Sequence, residues 1–285
     1  MSVAVVTDST AMLPPDVVAA RRITVVPLQV IVGATAYDEG VDPEATPQMV
    51  AAALKEWKPV STSRPSPTAF EAVYSRLAAA GYESVVAIHL SAQVSGTLES
   101  ASLAAASSPI PVVTVDSGQL GMGTGFAVLA ASDVLAAGGS ASEAAVAART
   151  RAAGTTSLFY VDTLEYLRRG GRIGAAAALV GSALSVKPLL TVRDGRITPL
   201  EKVRTSSKAL ARLEELAVAA AGTDPVEVAV AHLASPQRAA ALAGKLSARL
   251  AENLRGRAVA VGEVGAVIGA HVGPGMVATV VAPAS

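Results

Sequence analysis

The sequence predicts an α/β protein of two domains. The N-terminal domain, residues 1–154, is expected to carry a mainly parallel sheet with helices on both faces, and the C-terminal domain, residues 155–285, a mixed or antiparallel sheet with helices. Three observations predict this. Over the first half, uninterrupted β-branched runs alternate with alanine-rich segments of helical period, the pattern of strands buried on both faces. Over the second half, candidate strands lie closer together, and Arg193-Asp194-Gly195-Arg196 supplies a hairpin turn between two of them. Finally, 285 residues that are 51% hydrophobic but only 3% aromatic build a sizeable core mostly from Ala, Val and Leu.

Taken in order, VAVVTD, ITVVPLQVIV, SVVAIHLS and VVTVDS read as strands, and residues 16–22, 69–80, 97–106 and 125–137 as helices. Three of these strands end in polar clusters: Thr7 to Thr10, His89 to Thr97 and Val115 to Gln119. Ligands of open α/β sheets gather at the carboxyl ends of the strands, so these clusters define one candidate edge. The boundary falls near Gly154, before SLFYV. Beyond it KPLLTV, RITPLEKV, VEVAVAH, AVAVGEV and MVATVVA read as strands, with helices at about 206–221 and 236–253.

Charge and composition exclude several functions. Lys and Arg total 23 and so do Asp and Glu, which removes the electrostatic reason to expect a nucleic-acid partner. Cysteine is absent and the three histidines lie far apart in sequence, which argues against a metal site; no cofactor is expected either. The start MSVAVVTDST lacks a basic n-region and reaches Asp8 too early for a signal peptide, which makes a cytoplasmic protein the default. The uncharged stretch from Val264 to Ser285 has the length of a membrane span and overlapping GxxxG frames at Gly265, Gly269 and Gly273. Gly273-Pro274-Gly275 interrupts it, leaving a helix of about ten residues, a turn and a strand. No transmembrane segment is expected, and transient contact with a membrane surface stays open.

Several motifs carry candidate chemistry. STSRPSP, Ser61 to Pro67, is a hydroxyl-rich loop stiffened by prolines, able either to donate to an anion or to cap the following helix. In SAQVSGT a strand ends, Gly96 permits close approach and a helix starts at Thr97, which offers backbone N–H groups and the Ser95 and Thr97 hydroxyls to an anion. Neither a Walker GK[ST] nor a G-x-S-x-G elbow is present, although a Ser95/His271 hydrolase with Asp8 or Asp116 remains an alternative. LEYLRRGGRIG sets Arg168, Arg169 and Arg172 around a glycine pair, as helix-terminal cations or as a basic knob for an acidic or phosphate-bearing partner. In PLEKVRT, Lys202 and Arg204 share a strand face and are ordinary solvent residues unless that face meets a cleft. His89 and His232 lie in apolar strands and are expected to be structural hydrogen-bonders. His271, set among glycines, can donate to an anion in an interdomain cleft.

In combination, VTDSTAMLP, STSRPSP, HLSAQVSGT, TVDSG, LEYLRRGGRIG, KPLL, PLEKVRT and GAVIGAHVGPG resemble, in order and over essentially the whole chain, the DegV family of bacterial fatty-acid-binding proteins. That family includes the B-type binding subunits of fatty acid kinase. The resemblance implies a DegV-like fold holding a long-chain fatty acid, its carboxylate at the domain interface and its tail in an apolar tunnel. A separate ATP-dependent fatty acid kinase catalytic subunit would phosphorylate the carboxylate on the way to phospholipid synthesis, leaving no catalytic residue on this chain. It further implies carboxylate contacts from Thr62, Ser95 and His271 with Arg204 close by, and head-group neighbours Ser63, Arg64, Gly96 and Thr97. Arg168, Arg169 and Arg172 become the docking surface, and the glycines around His271 become clearance for the head group. There are departures: Arg64 replaces the neutral amide of the family's TSQP, SAQVSGT loses a small residue and a hydroxyl, and Met12 stands where an acidic residue is usual. A hydrolase or phosphotransferase using Ser95 and His271, and a lipid-dependent regulatory or interaction protein, are the competing readings.

Overall fold

The structure, a computed structural model, describes residues 2–179 and 187–284. A parallel sheet takes the strands Thr24–Val26, Val3–Asp8, Ser84–His89 and Val112–Asp116 in that spatial order. Its two central strands read VAVVTD and SVVAIH without polar alternation because both faces are covered. Ala4, Val6, Val85 and Ala87 meet helices Pro67–Ala79 and Thr97–Ala105. On the opposite face Val5, Val86 and Ile88 meet helices Met122–Ala136 and Ala141–Ala153.

The run ITVVPLQVIV does not form a single strand. Pro27 lacks the N–H a sheet ladder needs, so Thr24–Val26 stays with the parallel sheet and Gln29–Val32 departs. Gln29–Val32 becomes the centre of a separate antiparallel sheet, between Thr35–Asp38 and Val60–Ser63. The N-terminal half thus holds two sheets where the sequence reading expected one, and Thr62 sits on a strand rather than in a loop. The core of this small sheet, Val30 with Val50 and Leu54 of helix Pro47–Lys55, closes on Val267 and Ala270 of helix Ala266–Val272. A segment from the first half of the sequence therefore packs on a helix from the far end of the chain.

The remaining strands form a mixed sheet in the order Arg196–Val203, Lys187–Arg193, Thr156–Tyr160, Val277–Pro283, Val226–His232, Ala260–Glu263, antiparallel except for the last pair. Asp194 (φ 50) and Gly195 (φ 74) turn the first hairpin through the left-handed region, as a DG pair does in a type I′ turn. Strand alternation divides the sheet's faces. Leu158, Tyr160, Val228 and Val230 pack on helices Ser206–Ala221 and Pro236–Arg249, while Phe159, Ala229, Ala231 and Val280 look toward the N-terminal half.

Helix Met122–Ala136 lies between the two large sheets. Ala127, Val128 and Ala131 face the parallel sheet, and Met122 and Phe126 face Ala229 and Val280 of the mixed one. From Met122 to Ser132 it carries no charge because that stretch is buried almost throughout, and only from Asp133, paired with Arg21, does it reach solvent. Gly154 caps helix Ala141–Ala153, and the mixed sheet begins at Thr156. The uncharged C-terminal stretch is a seven-residue helix, a turn and an interior strand. Among the described residues no helix is long and apolar enough to cross a membrane.

Candidate functional site

A cavity of about 60 Å³ lies where the two halves meet. Thr10, Thr62, Ser95, Arg172 and His271 are its polar lining, and the rest is apolar, including Leu28, Leu90, Leu120, Ile197 and Ile268. Its parts come from distant sequence. The carboxyl end of strand Ser84–His89 delivers residues 90–97, and pairing of Val30 with Thr62 sets the threonine on its strand. The 193–196 hairpin closes over them: Ser91 Oγ donates to the Gly195 carbonyl at 2.7 Å and Arg196 donates to Gln93 Oε1 at 2.7 Å, which brings Ile197 to the wall.

Within the cavity Thr62 Oγ1 and His271 Nε2 share a hydrogen bond of 2.8 Å. Burial, and secondly the charge of Arg172, push His271 down to about 4. The ring is therefore neutral at physiological pH, with one N–H donor and one acceptor nitrogen. Its Nδ1 is buried without a hydrogen-bond partner among the described residues. Arg172 is held on two carbonyls, Val94 at 3.1 Å and Gly170 at 2.7 Å. No carboxylate pairs with it among the described residues. Ser95 Oγ lies 2.9 Å from Thr97 Oγ1 and accepts from the Thr97 N–H at 3.3 Å, at the entry to helix Thr97–Ala105.

Other residues singled out in the sequence lie elsewhere. Arg64 turns its guanidinium to Glu99 and to the Gly96 carbonyl at 3.1 Å, so its charge is paired outside the cavity. The Ser63 hydroxyl donates to the Arg64 carbonyl at 3.3 Å. Thr97 is buried, and Ser66 rather than Thr62 caps helix Pro67–Ala79, accepting from the Ala69 N–H at 3.2 Å. Arg204 is exposed, just past strand Arg196–Val203, and does not line the cavity.

The basic motif divides. Arg168 and Arg169 are exposed and pair with Glu165, whose carboxyl their hydrogen bonds pull down to about 2. Arg169 also stacks 4.6 Å above the exposed Trp57 ring. Arg172 does not join that surface. Gly171 (φ 69) reverses the chain after helix Glu165–Arg169 and sends Arg172 inward to the cavity. The glycine pair was the sequence signal for this reversal, but its direction depended on the helix's packing. Thr10 was also missed individually, although TDST at a strand's carboxyl end marked its neighbourhood; its hydroxyl donates to Asp8 Oδ1 at 2.5 Å.

The glycines around His271 do not open onto the cavity. A Cβ on Gly265 would overlap Glu39 Oε1, and Gly273 (φ 73) ends the helix against the Tyr166 ring. They make room for protein side chains.

A serine hydrolase needs a nucleophile bonded to its base and a third group orienting that base. Here Ser95 is bonded to Thr97 and His271 to Thr62. Asp8 accepts from His89 Nδ1 and from the Leu90 N–H, both at 3.0 Å, and Asp116 accepts from the Ala92 and Gly118 N–H groups at 3.2 and 2.8 Å. Burial alone would raise the Asp8 carboxyl, but these donors hold it below its usual value. His89 is a core histidine with Phe70 edge-on at 5.1 Å, and His232 Nδ1 accepts from the Ser235 N–H at 3.4 Å. No Ser–His–Asp relay forms among the described residues.

Known proteins share this arrangement of sheets. The sequence model of an uncharacterised protein family, DegV, matches residues 2–284. The chain belongs to the DegV family. A DegV domain-containing protein of Streptomyces coelicolor is 54% identical over 280 residues, covering 98% of each chain. Among solved DegV structures, that of a Thermus thermophilus family protein, described by its fatty acid binding, superposes with a TM-score of 0.92 at 33% identity over 100% of both chains. DegV of Bacillus subtilis, described as a fatty acid binding protein, gives 0.89 at 32% identity over 100% of both. The pairing of a parallel N-terminal sheet with a mixed C-terminal sheet is the fold of these DegV structures.

Proposed function

We propose that this DegV protein binds a long-chain fatty acid, the carboxylate taken by Thr62, Ser95 and His271 and the acyl chain by the apolar surroundings of the interface. It then presents the acid to a separate ATP-dependent kinase subunit that forms the acyl phosphate, on a route toward phospholipid synthesis. The observation that carries this reading is the convergence of a strand hydroxyl, a helix-entry hydroxyl and a neutral imidazole on one cavity with an otherwise apolar wall. The fatty-acid binding of DegV relatives supports it.

Energetics favour the assignment. An acyl tail of about fifteen methylenes gains on the order of 12 kcal/mol at about 0.8 kcal/mol per buried CH₂, before ordering costs. A carboxylate taken from water must be hydrogen-bonded or paired. Thr62, Ser95 and His271 supply the bonds, and Arg172 adds a positive charge at the same cavity. At about 60 Å³ the cavity is well below the 300 Å³ or so of small-molecule sites, so the tail enters by parting side chains such as Leu120 and Ile268. Arg168 and Arg169, exposed on the neighbouring helix, are the residues we assign to kinase docking. No covalent step is assigned to this chain.

The test is extraction of the purified protein with organic solvent followed by mass spectrometry, and titration with oleate. Absence of extracted fatty acid together with no oleate binding overturns the reading. The kinase step is tested separately. Reversing Arg168 and Arg169 to Glu should leave oleate retention intact and reduce acyl phosphate formation by the partner kinase with ATP; undiminished formation removes these arginines from the docking surface.

A further inference from the structure

Two of the proposed head-group residues, Thr62 and His271, ride on different bodies. Thr62 belongs to the small antiparallel sheet and His271 to helix Ala266–Val272, yet their side chains are held at 2.8 Å. The helix has no cap of its own, because its N-cap residue, Gly265, has no side chain. That role is filled from across the chain: Glu39 Oε1 accepts from the Val267 N–H at 2.8 Å, the amide an N-cap side chain would normally satisfy. Gly265 is required for this reach, since a Cβ there would overlap the same carboxylate oxygen.

Glu39 is itself anchored to the sheet that carries Thr62. It directly follows strand Thr35–Asp38, and its N–H donates to the Leu28 carbonyl at 2.9 Å. The turn around it is pinned by Gln29 Nε2 donating to Asp38 Oδ1 at 2.9 Å and by Asp42 Oδ2 accepting from the Asp38 N–H at 2.6 Å. Strand Gln29–Val32 connects this edge to Val60–Ser63. On the helix side Val267 lies one turn before His271. The buried Glu39 carboxylate therefore ties the Thr62 body to the His271 body, beside the apolar contacts of Val30, Val50, Val267 and Ala270.

We infer that Glu39 is a positioning residue for the head-group site: it caps helix Ala266–Val272 from the opposite body and so sets the spacing of Thr62 and His271. The consequence for ligand binding rests on the fatty-acid reading above; the consequence for the Thr62–His271 bond does not. Apolar packing between the two bodies is not directional, whereas the Glu39 carboxyl group directs hydrogen bonding at the helix start and so fixes the helix along its axis. Val267 and His271 lie one helical turn apart, so a displacement of the helix start carries through to His271.

The test compares Glu39→Gln, which keeps an oxygen for the Val267 N–H, with Glu39→Leu, which does not, and adds Gly265→Ala, which crowds the carboxylate from the helix side. The ring resonances of His271 are titrated by NMR without added lipid, and oleate affinity is measured by calorimetry. In Glu39→Leu and Gly265→Ala the His271 midpoint should rise by about one pH unit and oleate affinity fall by a factor of about ten, while Glu39→Gln stays near wild type in both. If Glu39→Leu does not fold, Gly265→Ala and Glu39→Gln decide between them. An unchanged His271 titration in the two disruptive variants overturns the inference. So does a Gln variant as impaired as the Leu variant, or a shifted titration with oleate affinity kept. Should wild type itself bind no oleate, the fatty-acid reading falls and the His271 titration alone decides the positioning role of Glu39.

Discussion

His271 shows how one residue's environment sets its chemistry. Its folded value of about 4 lies below its ordinary 6.5 because burial disfavours the charged ring and Arg172 repels it. Between these values the unfolded chain binds more protons than the folded one, so this residue's contribution to stability is present above pH 6.5 and is lost as pH falls toward 4. The slope is at most about 1.4 kcal/mol per pH unit. Urea unfolding at pH 7 and pH 5 should show a smaller loss in His271→Gln than in wild type, and equal losses would mean the ring is not buried neutral. The partner hydroxyl is tested with Thr62→Val, which keeps the shape and removes the bond. Oleate affinity should fall by a factor of about ten by calorimetry, and affinity within twofold of wild type would take Thr62 out of the site. Residue identity was legible here: hydroxyls and a histidine in glycine-rich surroundings are visible in the sequence. Their protonation and partners were not, because desolvation is a property of the packed surroundings.

Individual elements follow local chemistry closely. The Asp194-Gly195 pair marks its hairpin because two consecutive left-handed residues suit Asp and Gly, and Pro27 marks the break between two sheets because it cannot donate to a ladder. The break was nevertheless read through, since β-branched residues on both sides hid it. Gly195 also has no room for a side chain, as a Cβ would meet Ser91 Oγ at 2.5 Å. Gly195→Ala should therefore cost about 1–2 kcal/mol in denaturant unfolding and weaken oleate binding through the 91–95 segment. Ser140 provides the contrast. It forms a reciprocal capping box with Glu143 at the start of helix Ala141–Ala153, whose residues do not line the cavity. Ser140→Ala should cost about 1 kcal/mol of stability and leave oleate affinity unchanged. Equal effects of the two variants on affinity would show that binding follows global stability rather than the hairpin's local contact.

At the scale of the whole molecule the site is an interface property. The parallel sheet, the small antiparallel sheet, the hairpin and the C-terminal helix each contribute to a cavity that none encloses alone. A ligand that requires this closed arrangement should stabilise it by mass action. Oleate at about one hundred times its dissociation constant should add about 2.7 kcal/mol and raise the melting temperature measurably, and an unmoved transition would show that binding is not linked to the folded interface. By itself the sequence determined the α/β class, the parallel and mixed halves, the turn at Asp194-Gly195 and most of the polar residues at strand ends, because these depend on short-range periodicity and backbone chemistry. Only the tertiary structure decided that Arg172 turns inward while Arg64 and Arg204 lie outside, that Thr62 meets His271, and that Glu39 caps a helix 228 positions away. Those outcomes turn on which surfaces pack together, and no local window of sequence carries that information.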